Sequence, residues 1–85
     1  MSERTLQLES LRTEVDAAFL YERIAANERD QQIARLFREM AAIERGHAAH
    51  AFAALQRSGM LKAMPAPSWR ARTLDRLGPC PQHPA

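Results

Sequence analysis

The 85 residues make one small domain, and 46% hydrophobic with 26% charged residues sits near the globular average, away from disordered and fibrous extremes. With no apolar run near the ~20 residues of a membrane helix and no secretory leader, a cytoplasmic protein without a membrane span is expected. One cysteine, Cys80, excludes an internal disulfide framework and a multi-cysteine zinc site, and a net charge of +2 is too small to argue for nucleic acid.

All five prolines fall after residue 64, and the stretch before Gly59 is rich in Ala, Leu, Glu, Arg and Gln, so it is free to be helical and strands have almost no support. A first helix is expected from about Glu3 to Ala26, with Ser2 as N-cap and Leu11, Val15, Ala18 and Ala25 at three- and four-residue steps. The polar run Asn27-Glu28-Arg29-Asp30 breaks it. A second helix is expected from about Asp30 to Arg57, stopped by Gly59 as a left-handed C′ residue. Residues 60–85 read as a Pro-rich basic tail holding Lys62, Arg70, Arg72 and Arg76 against Asp75 alone, with a short helix from Ser68 to Leu77 that Trp69 and Leu74 or Leu77 would dock. No shell-targeting peptide is legible from Gly78 to Ala85.

Ile33, Phe37, Met40, Glu44, His47, Ala51 and Leu55 follow helical steps and make one seam on the second helix. Two amphipathic helices joined by a four-residue loop form an antiparallel hairpin whose seams still face water on one side. Dimerisation into a four-helix bundle of helices ~40 Å long buries them. The seam is broken by Glu44 and His47, and the matching face of the first helix (Leu11, Glu14, Ala18, Tyr21, Ala25) is broken by a carboxylate and a phenol. In a hairpin turning near residue 29, positions whose numbers add to 58 lie level, which makes Glu14 the neighbour of Glu44.

A buried carboxylate without a partner costs several kcal/mol, and no Lys or Arg occupies the seam. A twofold dimer would gather four glutamates and two histidines, and two divalent ions would balance the charge. Hard oxygen donors with one imidazole per ion suit iron, with manganese as the other choice, and not thiolate zinc.

The segment Glu14-Val-Asp-Ala-Ala-Phe-Leu-Tyr21, Ile33 to Phe37 and Glu44-Arg-Gly-His47 resembles the ferritin-like/rubrerythrin superfamily, over roughly residues 8–58. It is most similar to the short two-helix encapsulated ferritins, whose two glutamates and histidine are spaced by 30 and then 3 residues, with a tyrosine seven after the first Glu. That resemblance implies an all-α, ferritin-like four-helix bundle built from two chains. It implies metal ligands Glu14, Glu44 and His47, with Tyr21 beside them and Asp16 on the side where iron is taken up. Thr13 and Leu20 depart from the neighbouring acidic and aromatic positions of that group. It also implies two Fe²⁺ ions per dimer interface, a ferroxidase reaction with O₂ serving iron storage or detoxification, a homodimer or ring of dimers, and residence inside a shell protein. Pro67-Ser-Trp-Arg-Ala-Arg-Thr-Leu through Gly78-Pro79 is similar to ferritin-like domains joined to vacuolar-iron-transporter-type membrane proteins. The competing expectation is a non-catalytic dimerisation or regulatory module whose inward polar residues set register only.

Overall fold

Ser2, Asp30 and Ser68 each turn a side-chain oxygen onto the free N–H groups of a following helix, and these three caps delimit the architecture. The computed structural model describes residues 2–78. It contains α1 (Glu3–Asn27), α2 (Gln31–Arg57) and α3 (Trp69–Arg76), with no strand among the described residues. Asp30 accepts hydrogen bonds from the N–H groups of Gln32 and Ile33 at 2.9 and 3.3 Å, and therefore stands before the second helix and not within it. The turn from α1 to α2 is only three residues, which forces the two helices antiparallel.

The end of α2 follows from Gly59. With φ of 81° it occupies the left-handed region, its N–H bonds the carbonyl of Gln56, and the N–H of Met60 bonds that of Leu55. This 6→1, 5→2 pair is the Schellman closure that a glycine at C′ permits. Gly78, also at φ 81°, ends α3 with the 5→2 bond alone, its N–H to the carbonyl of Asp75, since Pro79 has no N–H for the second.

The line of contact between α1 and α2 differs from the expected seam. The buried residues are Leu11, Ala18 and Ala25 on α1 and Ala34, Ala41, Ala48 and Leu55 on α2, each spaced by seven. A repeat of seven on both partners is coiled-coil geometry, and alanine along it lets the two backbones approach closely. Leu11, Ala48 and Leu55 form the largest apolar cluster, with Leu8, Val15, Ala51, Phe52 and Leu61 packed on its edge. Ile33, Met40 and His47, assigned to the seam by hydropathy, lie exposed one step around α2, and Phe37, Glu44 and Ala51 are half-buried. The reason is size: the closest line between two packed helices goes to the smallest side chains, and bulkier ones flank it. The expected register holds, because Tyr21 and Phe37, whose numbers add to 58, pair with ring centroids 6.0 Å apart.

The tail corrects a second expectation. α3 docks on α1 through the buried Ala71 and two polar clasps, while Trp69, Leu74 and Leu77 remain exposed. Ser68 donates its backbone N–H to Asp16 Oδ1 at 2.7 Å and its hydroxyl to Asp16 Oδ2 at 2.6 Å, and Arg23 Nε donates to Asp75 Oδ1 at 2.9 Å. Both clasps span 52 residues, so α3 runs parallel to α1 in a fixed register. Cys80 and most of the segment searched for a targeting peptide lie outside the described residues.

Gly46 sits inside α2 with no atom within 4 Å of where a Cβ would stand. Gly46→Ala is therefore expected to stabilise the chain by about 0.5–1 kcal/mol through helix propensity, read as a higher melting temperature in circular dichroism. A lower melting temperature would mean that another surface packs on this position in solution.

Candidate metal centre

The three-residue turn and the register place the midpoints of the two long helices side by side, and the polar interruptions of both faces meet there. One ligand atom each from Glu14, Glu44 and His47 lies within 4.8 Å of the others. Glu44 and His47 are three apart on α2 and project together, with His47 Nδ1 3.9 Å from Glu44 Oε1. Glu14 and Glu44 are half-buried, while the His47 side chain is 59% exposed.

Their surroundings are short of cations. Among the described residues neither Glu14 nor Glu44 makes an ion pair with Lys or Arg; Arg45 pairs with Glu22 and Arg23 with Asp75. Two carboxylates and one imidazole therefore converge with no internal counter-charge. A first-row divalent ion holds its donors at about 2.1 Å, which sets them roughly 3–4 Å apart, so small side-chain rotations bring this trio to binding distance. Oxygen-rich, thiolate-free donors fit iron or manganese. Three donors leave an ion open positions, and the face around them is open too.

That face is apolar. Ile24, Ile33, Leu36, Met40 and Ile43 all stand more than a third exposed along the flank of the hairpin that carries the trio, Leu36 and Ile43 by 58% and 57%. Single exposed apolar side chains are ordinary, whereas five of them along one flank of a hairpin form a surface that favours coverage.

The other expected site residues stand apart from the trio. Tyr21 lies two helical turns from Glu14, roughly 10 Å along the axis, and packs its half-buried ring on Phe37. Asp16 points to the tail and spends both carboxylate oxygens on Ser68. Sequence reasoning missed the Glu22–Arg45 ion pair, which borders a groove of about 480 Å³ between the helices and the linker residues Met64 and Pro67. It also missed the two tail clasps. A contact between residues 52 apart leaves no periodic signal, though Ser68 as a helix cap was legible.

The family model described as Rubrerythrin matches residues 8–72, a span that takes in most of α1, all of α2, the segment that follows it and the first turn of α3. No curated protein and no solved structure matches the chain.

Proposed function

The chain belongs to the rubrerythrin family, within the ferritin-like superfamily, and on that premise we propose that it is a di-iron carboxylate protein that oxidises Fe²⁺ with O₂, its site completed between two copies. The convergence of Glu14, Glu44 and His47 at mid-hairpin carries this reading. Each copy contributes three donors, and pairing through the apolar flank would bring six together around two ions while covering Ile33, Met40 and Ile43.

Bound iron supplies the redox chemistry, each Fe²⁺ giving one electron with O₂ as acceptor. The chain supplies charge and position. Glu14 and Glu44, from different helices, would hold the ions and offset their positive charge, which rises on oxidation. His47 would add one imidazole nitrogen from α2. The alanine contact line beneath holds the helices at constant spacing, so the backbone positions from which the three donors extend are fixed and only side-chain rotation remains to close the site. Tyr21, anchored on Phe37, bears on the reaction once a second copy covers this face. Asp16 would serve iron uptake only in competition with the Ser68 clasp. Manganese in place of iron, a ring of dimers, residence inside a shell protein in the cytoplasm, and storage or detoxification as the outcome belong to the same reading. No helix of the described residues is long and apolar enough to cross a membrane.

The test is metal analysis of the purified full chain with anaerobic Fe²⁺ titration followed by O₂. Two irons per dimer, O₂ uptake in proportion to Fe²⁺ and the rise of Fe³⁺ absorbance are expected. A dimer that forms normally and binds no iron would support the register-setting module instead.

A further inference from the structure

The apolar residues of α3 are placed where the fold does not use them. Ala71 and Asp75, one turn apart, hold the helix to α1; Trp69, Arg72, Thr73 and Arg76 follow at i, i+3, i+4 and i+7 on the outer side. Trp69 is 69% exposed and Leu77, just past the last turn, is 76% exposed, whereas Leu74 turns toward α1 and lines a cleft with Leu20 and Ile24. Arg70, Arg72 and Arg76 are exposed, and none makes an ion pair among the described residues. The only acid of the tail, Asp75, is drawn inward by Arg23, so the outer side is uniformly basic. Fixed at both ends by the Asp16 and Arg23 clasps, α3 is held in an orientation that presents this side and does not fold it away.

We propose that α3 is a docking face for an anionic lipid surface. An indole at one end, a leucine at the other and arginines between them describe a helix that lies flat in a headgroup layer, Trp69 and Leu77 at the acyl boundary and the guanidinium groups on phosphates. Nucleic acid or an acidic polypeptide would satisfy the arginines but leave Trp69 and Leu77 in water, and the one cleft that α3 lines, with Leu74 against Leu20 and Ile24 of α1, lies on its inner side. Lipid requires charge and apolar burial together, and this face supplies both. Each arginine near an anionic surface strengthens binding roughly fivefold, so one copy binds weakly and two linked copies bind much more tightly. The inference does not rest on the metal centre, whose three residues all come from α1 and α2.

Trp69 is the only tryptophan and reports its own surroundings. The full chain, without added metal, is mixed with phosphatidylglycerol-containing vesicles and with pure phosphatidylcholine vesicles. With the anionic vesicles at low salt, a blue shift of emission and co-sedimentation are expected; with neutral vesicles or at 0.5 M salt, neither. Arg72→Gln with Arg76→Gln should weaken co-sedimentation at least tenfold, and Trp69→Ala should weaken it at unchanged helix content. Equal binding to both vesicle types, no binding to either, or an emission shift produced by an oligonucleotide or polyglutamate but not by vesicles would overturn the proposal.

Discussion

Ferrous iron, or a redox-inert divalent ion in its place, is expected to tighten self-association of the chain by at least two orders of magnitude. If the functional site needs Glu14, Glu44 and His47 from each of two hairpins, the ion binds the dimer and not the monomer, and mass action transfers its binding energy to the dimerisation constant. At an ion concentration 100 times its dissociation constant, one site contributes about 2.7 kcal/mol, roughly a hundredfold, and a second ion adds to that. Without metal, the same pairing would bring four carboxylates together with no cation of the chain to offset them, which weakens the apo dimer further. Sedimentation velocity with and without the ion reads the effect directly. A monomer that binds one ion tightly, with an unchanged dimerisation constant, would contradict a shared site.

Helix extents, caps and the antiparallel turn were legible because each is local: Ser2, Asp30 and Ser68 cap, Gly59 and Gly78 stop, and the polar run 27–30 turns the chain. The Glu14–Glu44 level was legible for a geometric reason, since a short turn fixes register and leaves only the face undetermined. The face was misjudged on α2. Ile33, Met40 and the apolar residues near them outweigh alanine on any hydropathy scale, yet Ala34, Ala41 and Ala48 win the inner line because packing distance, and not hydropathy, decides which row of a helix touches its neighbour. The same displacement explains why bulky apolar residues surround the metal ligands: they belong to the flank that a second layer would cover. Docking of α3 differs in the opposite sense: of the large apolar residues expected to hold it only Leu74 turns toward α1, and Ala71, Ser68 and Asp75 make the close contacts.

The division between an alanine line that builds the hairpin and a polar trio that stands on its flank predicts that folding and metal binding can be separated by single substitutions. His47→Ala removes one of three donors from an exposed position with no packing role in the single chain, so helix content and the apo melting transition should remain within about 0.5 kcal/mol of the parent. Iron affinity should fall by well over tenfold, and the metal-induced tightening of the dimer should vanish with it. Leu55→Ala supplies the contrast. Leu55 is 1% exposed within the largest apolar cluster, and its truncation should cost about 2–5 kcal/mol, a large share of the stability of so small a fold, with any loss of iron following the loss of helix. Glu44→Gln completes the series by keeping size and removing charge: it should bind iron poorly while melting no lower than the parent, because it relieves carboxylate repulsion in the apo site. Circular dichroism melts paired with iron content for the three variants distinguish the outcomes. Retention of full iron stoichiometry by His47→Ala would remove His47 from the ligand set. Unfolding of that variant at parent-like conditions would assign His47 to the packing of the helices and leave the two glutamates without the imidazole that completes them.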